Sequence, residues 1–408
     1  MKTHLHDSAA RLTAPQWAAL YGTRHADRGH GYALFREHME PGAPVLVAAE
    51  DDAGRCAALH GALTTAGSGL FSHPWKLLTS EQLLRPEEPG ADRARADRER
   101  LLTAVTGTAA QPDAAALTTA LGEAVVFRSF DSTEAGLREG LTTEARHAAL
   151  RALLAAAQDA VRDGLAGAVC LPFVRRDDLP LRTGLAELGF RQAALTAVSD
   201  FDLTGVSSYE EFLASLPSRR RRMYRKEGQA VADSPLTLGT WSLTGHVKSV
   251  AALEARNIAK HGGQPDPVAL VAARSAMAEL IGDRVRVPVV LRADEADEPA
   301  ACGIHLTDDD SYCILMYGAD ETVPAGGPVY AHLTFYEPLR HAADHGLSRV
   351  RLGFEAFDAK LRRGASLSPR ETWLWLPDAA RLDTLHQVMQ LLGTRTEAHF
   401  ARLTGQPA

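Results

Sequence analysis

Six basic side chains occupy the eight positions from Arg219 to Lys226 ("RRRRMYRK") in a chain whose formal net charge is −7. If this stretch is helical, Arg219, Arg222 and Lys226 share one face because they are spaced at i, i+3 and i+7. Clustered cations repel one another unless anions meet them. The spacing therefore predicts a binding face for the phosphates of a coenzyme arm, an acidic acyl-carrier protein or a tRNA backbone. The alternative is a solvated helix whose bases pair with acidic neighbours such as Glu210 and Glu211.

A second group of cations, Lys360, Arg362 and Arg363, comes just after a predicted strand whose end carries Glu355 and Asp358. Loops at strand ends are where sites in α/β proteins are commonly built. Cations there can hold a phosphate or a substrate carboxylate, which arginine grips with two parallel hydrogen bonds. We therefore predict that these three residues bind the donor. A solvated turn with local ion pairs is the alternative.

Gly326 and Gly327 precede Pro328, a residue suited to the first position of a helix. Glycines allow close backbone approach, and the unpaired N–H groups at a helix start attract anions. The pair predicts a place for the pyrophosphate of a pantetheine donor, with a plain turn into a helix as the alternative.

Three residues could carry acid–base chemistry for acyl transfer to an amine, in which the amine loses a proton and the leaving oxygen or sulfur is stabilised or protonated. We expect Glu355 to be the base ahead of His305, and Tyr317 to be an acid. His305 alternates with apolar residues, so it is equally consistent with a hydrogen-bonded histidine inside a sheet. Tyr317 is equally consistent with packing.

The composition limits the function classes. Acidity argues against a general nucleic-acid or anionic-membrane binder, which leaves room for a local basic groove but not for a DNA partner. The four cysteines form no CxxC pair, so no metal site is predicted. No apolar run approaches the roughly 18 residues of a membrane helix, and the start of the chain lacks a signal-peptide core. These features lead us to expect a cytoplasmic protein without a membrane span.

The predicted elements occur in the same order twice. Each half contains a hairpin, a strand, a helix, a strand, a helical link and a final strand, which predicts an α/β (α+β) fold of two mixed, mostly antiparallel sheets flanked by helices. We place the boundary near 204–207, giving domains 1–205 and 206–408. A helix capped by Ser207 or Ser208 is expected to carry the basic cluster.

This order resembles the GCN5-related N-acetyltransferase (GNAT) fold present in tandem. "LAELGFRQ" (185–192) is similar to a step near the end of many GNAT domains. The second half resembles the peptidoglycan-biosynthesis, Fem-like branch, in which a basic helix precedes the second module and a "(Y/F)xxKLxRG" segment follows its penultimate strand. That segment is here "FDAKLRRG", Phe357 to Gly364. Neither half carries the Q/R-x-x-G-x-G/A loop of acetyl-CoA users, which leaves the donor open.

The resemblance implies an acyltransferase without a tightly bound cofactor, its site in the second half and a non-catalytic first half. Our leading expectation is direct amide formation on the amine of a small metabolite, plausible in specialised metabolism, from acyl-CoA or an acyl-carrier protein thioester. The second is a Fem-like transferase that uses aminoacyl-tRNA. The third is a catalytically silent binding protein that keeps the GNAT shell.

Overall fold

The structure is a computed structural model that describes residues 1–108, 112–260, 262–292, 299–324 and 327–405. The chain divides into two compact units. Unit 1 contains residues 1–22, 39–198 and 368–408, and unit 2 contains residues 23–38 and 199–367. Each unit consists of mixed-sheet strands flanked by helices, which confirms the predicted α/β class, but all the strands belong to one 13-stranded order rather than to the two separate sheets that the sequence predicted.

In unit 1 the strand order is β1–β2–β3–β4–β6–β13–β7, and β5 pairs with β3. Strand β4 runs parallel to β6, and α7 connects them. Its strands and helices are β1 (Lys2–His6), α1 (Ala14–Tyr21), β2 (Pro44–Asp51), β3 (Gly54–Leu63), α3 (Pro74–Thr79), α4 (Glu81–Leu84), α5 (Ala91–Thr106), α6 (Ala114–Leu121), β4 (Ala124–Phe127), β5 (Gly136–Leu137), α7 (Thr143–Arg162), β6 (Ala168–Arg175), α8 (Leu179–Glu187), most of β7 (Arg191–Asp202) and β13 (Ser366–Trp375), and α16 (Ala379–Thr404).

In unit 2 the strand order is β7–β12–β11–β10–β9–β8, which begins with residues 199–202 of β7. Strand β11 runs parallel to β12, whereas its other neighbour, β10, is antiparallel. The elements are α2 (His30–Met39), α9 (Tyr209–Ser215), α10 (Ser218–Ala232), β8 (Leu236–Trp241), α11 (Leu243–Lys260), α12 (Pro267–Ile281), β9 (Val285–Arg292), β10 (Pro299–Thr307), β11 (Ser311–Ala319), α13 (Pro328–Ala331), a π-helical segment (His332–Tyr336), α14 (Glu337–Asp344), β12 (Arg349–Gly353) and α15 (Phe357–Arg362).

The two compact units differ from the predicted domains 1–205 and 206–408, because β13 and α16 at the end of the chain belong to unit 1. Strand β13 pairs with β6, for example Leu374 with Cys170. Leu374 and, from α16, Leu385 are buried in the core of unit 1. An alternating apolar pattern predicts a strand without showing which sheet it joins, so the order of elements alone could not place this segment.

The basic cluster lies on a different helix from the one that Ser208 caps. The Ser208 side chain accepts a hydrogen bond from the backbone N–H of Glu211, and the capped helix, α9, ends at Ser215. Pro217 then precedes α10, which carries the cluster. The residue before a proline is disfavoured in helical conformation, so the chain forms two helices where one was predicted.

Candidate functional site

Strands β11 and β12 of unit 2 pair over a short distance and then part. Their described pairing joins Ser311, Tyr312 and Cys313 to residues 349–351, whereas β11 continues to Ala319. The register with β10 skips Leu315, which forms a bulge. Bulges bend a strand and interrupt its ladder, and they are frequent beside active sites. The opening between the two strands is our candidate active site.

Tyr317 lies in the part of β11 that has left β12. Its half-buried ring packs edge-to-face on Tyr330 of α13, with 5.1 Å between the ring centroids. Burial raises the pKa of the Tyr317 phenol above its ordinary value. The phenol therefore stays protonated at neutral pH, and it can donate a hydrogen bond but cannot act as a base.

Glu355 lies in a strained turn directly after β12. Its φ is 66°, and φ of the next residue, Ala356, is 48°, so two consecutive non-glycine residues occupy the left-handed region. Such conformations cost free energy and persist only where the surroundings impose them, often at functional sites. The Glu355 side chain is exposed, which suits a group that must meet an incoming amine.

Lys360 is buried and holds this turn in place, although the sequence predicted that it would bind the donor. Its ammonium donates hydrogen bonds to the carbonyl oxygens of Leu352, Gly353 and Phe354, at 2.8, 3.2 and 3.1 Å. The side chain is 4% exposed, so it has no surface to offer a phosphate. The sequence showed the charge of Lys360, but it could not show that the ammonium donates to three carbonyl oxygens inside the protein.

Arg363 also has its binding partners inside unit 2. Its guanidinium lies 3.0 Å from a Glu227 carboxylate oxygen and stacks on the Phe335 ring at 4.6 Å. Its predicted role in donor binding is therefore replaced by a structural one. Arg362 is exposed, with its Nε 3.2 Å from the carbonyl oxygen of Asp358, and it remains available to an anion.

The exposed face of α10 carries Arg219, Arg222, Arg225 and Lys226. Within the described residues, no carboxylate pairs with any of these four. The expected alternative of pairing with Glu211 does not hold, because that carboxylate accepts from the backbone and hydroxyl of Ser207 at 2.8 and 2.7 Å. We call these four side chains the basic face.

Helix α10 packs on the segment after β12 through the side opposite the basic face. Tyr224, on the opposite side of α10, is buried and donates a hydrogen bond to the carbonyl oxygen of Arg363 at 2.9 Å. The guanidinium of Arg220 lies 3.4 Å from the carbonyl oxygen of Leu361. Unit 2 therefore holds the helix that carries the basic face against the segment that contains Glu355 and Arg362.

His305 lies away from solvent in a polar network. Its Nδ1 is 3.1 Å from the hydroxyl of Tyr312, which donates to a Glu337 carboxylate oxygen at 3.3 Å. Arg286 completes the network, 3.2 Å from the other oxygen of Glu337. His305 is 0% exposed, so the structure fits the reading of a hydrogen-bonded sheet histidine better than that of a base.

Glu337 was missed by sequence reasoning. Burial alone would raise the pKa of this carboxyl, but His305, with Nδ1 3.7 Å away, and the Arg286 guanidinium lower the pKa to about 2. Glu337 is 25 positions from Tyr312, 32 from His305 and 51 from Arg286 in the sequence. No local motif could have predicted the network.

The predicted glycine pair falls partly outside the described residues, since Gly326 is not among them. Gly327 is the N-cap of α13, and a Cβ there would approach the carbonyl oxygen of Pro324 to 3.2 Å. The tight turn into a helix is therefore present at Gly327. Its predicted contact with a pyrophosphate stays a prediction.

Two groups of side chains among the described residues have the spacing of metal ligands, but in each group an arginine already pairs with a carboxylate. The groups are His25, Asp27 and Asp308, and Glu87, Glu88 and His399. Arg351 donates to both carboxylate oxygens of Asp27 at 3.0 and 2.7 Å, and Arg402 pairs with Glu88. We assign neither group to a metal.

One family model matches most of this chain. The family model FemAB-like, described as peptidoglycan biosynthesis/recognition, matches residues 134–405. The crystal structure of FemX superposes with a TM-score of 0.57 at 11% identity, over 95% of this chain and all (100%) of that one. This likeness shows the fold.

Two further solved structures are similar at lower TM-scores. A tandem GNAT protein from the clavulanic acid biosynthesis pathway gives 0.48 at 13% identity, covering 92% of this chain and 98% of that one. L-PGS from Bacillus licheniformis gives 0.44 at 10% identity, covering 66% and 82%. No curated protein matches the chain.

Among the helices that the structure describes, each is too short or too polar to span a bilayer.

Proposed function

Because the chain belongs to the FemAB-like family, peptidoglycan biosynthesis/recognition, we propose that it is an acyltransferase that takes an aminoacyl group from an aminoacyl-tRNA and forms an amide bond. The predicted resemblance to the Fem-like branch is confirmed by the family match, and the likeness to FemX confirms it at the level of fold. The family match favours the tRNA-dependent alternative over the thioester donor that the sequence first suggested.

The basic face is the observation that carries this proposal. Its four cations have no acidic partner among the described residues, in a chain with a net charge of −7. A polyphosphate backbone is a partner that such a cluster can bind tightly, because neutralising the phosphates releases their counterions. The local positive face also explains how an acidic protein can hold a nucleic acid.

The reaction needs no covalent enzyme intermediate. The acceptor amine attacks the carbonyl carbon of the aminoacyl ester, a C–N bond forms, and the C–O bond to the ribose breaks. The amine gives up a proton, for which we assign the exposed carboxylate of Glu355, and the leaving ribose oxygen gains one, for which we assign the protonated phenol of Tyr317. The bulge at Leu315 supports an oxyanion contact from the backbone of β11.

We propose that the acceptor is a primary amine on a peptidoglycan precursor, as the family description suggests. A small-metabolite amine is the second candidate. An acyl-CoA or acyl-carrier thioester remains the second candidate for the donor, because these carriers are also anionic and would meet the same basic face.

Nuclease treatment separates the two donors. The purified chain is incubated with crude, radioactively charged aminoacyl-tRNA and a diamine or a lysine-containing peptide as acceptor, with and without RNase, and amide product is measured. We expect product that RNase abolishes. Product that survives RNase but requires acyl-CoA or a carrier protein would overturn the tRNA proposal, and no product with any donor would favour a silent binding protein.

A further inference from the structure

Unit 2 contains a cavity of about 520 Å³ that is separate from the opening between β11 and β12. It is bounded by α10, by β8 and β9, and by the helical segment that runs from the π-helical turn into α14. In the sheet order, β9 and β8 lie two and three strands from β11. At about 4.8 Å per strand, β9 and β8 are roughly 10–14 Å from β11 across the sheet, and none of the residues that line the cavity lies on β11 or β12.

A glycine inside α10 keeps this cavity open. Gly228 lines the cavity, and a Cβ built at this position meets no atom within 4 Å. Its φ is not positive, so the backbone does not require glycine. Glycine in a helix interior lowers stability relative to alanine. Neither packing nor backbone geometry accounts for it, and its effect is to leave room for another molecule.

The opposite wall has an irregular helix. Residues His332–Tyr336 form a π-helical segment between α13 and α14, and Leu333 and Tyr336 from this segment line the cavity. Segments of this kind are rare and frequently occur at functional sites. The Tyr336 hydroxyl donates to Glu227, which fixes its ring in place.

Two opposite charges on α14 face the cavity without pairing to each other. Glu337 and Arg340 are three positions apart on one helix, where such residues normally form an ion pair. Glu337 instead pairs with Arg286 at 3.2 Å, and the Arg340 guanidinium lies 4.6 Å from the centroid of the Tyr209 ring. Among the described residues, no carboxylate pairs with Arg340. The helix thus brings to the cavity lining a carboxylate, which accepts from Arg286 and Tyr312, and, three positions further on, a guanidinium without a carboxylate partner among the described residues.

We propose that this cavity binds an α-amino acid with an apolar side chain, its carboxylate on Arg340 and its ammonium on Glu337. The two ionic groups of an amino acid are attached to one carbon atom, which suits two opposite charges spaced at i and i+3 on one helix. The apolar side chain would lie against Leu238, Val289 and Leu333, which line the same cavity. The site is independent of the proposed acyl transfer.

The charge pattern argues against a phosphate or nucleotide as the occupant. Burial disfavours an ionised Glu337, but His305 and Arg286 keep its pKa well below neutrality, so the carboxylate is charged at physiological pH. A phosphate held by Arg340 would lie beside this carboxylate and be repelled. An ammonium turns the same carboxylate into a favourable contact.

Calorimetric titration of the full chain tests the proposal. The probes are the L and D forms of alanine, valine, leucine and phenylalanine. For the tightest binder, the analogues without the carboxylate (the amine alone) and without the ammonium (the acid alone) are added, together with inorganic phosphate. We expect at least one amino acid to bind, and both analogues to bind about tenfold more weakly or worse, since each loses a charge-assisted hydrogen bond.

Two variants and a matched control link binding to the cavity. Gly228→Leu places a side chain in the open space, and Arg340→Gln removes the cation; we expect both to lose binding about tenfold or more. Ala230→Leu, exposed on another face of α10, should bind as the wild type does. Thermal unfolding of each variant verifies its fold. Absence of binding by all eight amino acids, equal binding of an analogue or phosphate, or unchanged binding by a folded Gly228→Leu variant would overturn the proposal.

Discussion

The ammonium of Lys360 lies 2.8 Å from the carbonyl oxygen of Leu352, the penultimate residue of β12. The same ammonium binds the next two carbonyl oxygens. A single buried cation thus fixes the backbone that carries Glu355.

Lys360→Met should destabilise unit 2 strongly, because three carbonyl oxygens lose a charged donor. We expect the free energy of unfolding to fall by about 3 kcal/mol. Urea denaturation followed by circular dichroism measures this. Arg362→Met, at the exposed neighbouring cation, is the matched control and should change stability by less than about 0.5 kcal/mol. Equal effects of the two changes would show that Lys360 is not a clamp.

Ala356→Gly should stabilise the protein, because glycine adopts φ of 48° without steric cost. Relief of left-handed strain exceeds the entropy that glycine adds to the unfolded chain, leaving a gain of about 0.5–1 kcal/mol. Ala359→Gly, in α15, should instead lose about 1 kcal/mol. Comparable losses at both positions would mean that the turn stores no strain.

Glu355→Gln and Tyr317→Phe should lower kcat about 10²-fold or more without a matching loss of stability, because each removes one proton-transfer group. Asp358→Asn, at an exposed carboxyl three residues further on, is the control for Glu355 and should keep kcat within about threefold. Single-turnover transfer rates measure the effect. A Glu355→Gln variant as fast as the Asp358→Asn variant would remove Glu355 from the mechanism.

Acid should weaken the fold in two stages. Burial, together with the charge of Arg286, lowers the pKa of His341 from 6.5 to about 4. Between these two pH values the unfolded chain binds this proton and the folded chain does not. The free energy of unfolding therefore falls as the pH drops from about 6.5 to 4. The lowered pKa of Glu337, about 2 against an ordinary 4.5, adds a loss below about pH 4.5.

Urea denaturation at pH 7, 5 and 3.5 measures both stages. Because the His341 ring is partly exposed, we expect its stage to cost about 1–2 kcal/mol and to disappear in His341→Phe. Glu337→Gln should remove the second stage while lowering stability at pH 7. Stability that rises between pH 7 and pH 5 would contradict the sign of the His341 shift, and an undiminished second loss in Glu337→Gln would contradict the Glu337 shift.

The order of elements was enough to predict the tandem fold, because hairpins, crossover helices and their caps are local features. The capped start of α7 at Thr142 is an example, with the hydroxyl accepting from the N–H of Ala145. The partner of β13 was not predictable. Strands β6 and β13 are about 200 residues apart in the sequence, and a pattern of alternating apolar residues does not show which strand will be the partner.

The candidate site was predicted as a set of charges, and the structure divides that set by burial. Arg219, Arg222, Lys226 and Arg362 are exposed, whereas Lys360 and Arg363 have internal partners. A sequence gives the sign of a charge, but burial and hydrogen bonds decide whether it can meet a ligand. The network of His305, Tyr312 and Glu337 shows the same limit, because its members come from separate elements.

Reversal of the basic face is the most direct test of the account. The variant Arg219→Glu, Arg222→Glu, Lys226→Glu should fold normally, because all three side chains are exposed. Arg93→Glu, Arg100→Glu, on α5, gives a matched change at exposed positions of unit 1. The measurement is KM for aminoacyl-tRNA at several salt concentrations. We expect the triple variant to raise KM about tenfold or more and to flatten its salt dependence, while the control matches the wild type. An unchanged KM and salt slope in the folded triple variant would contradict the account.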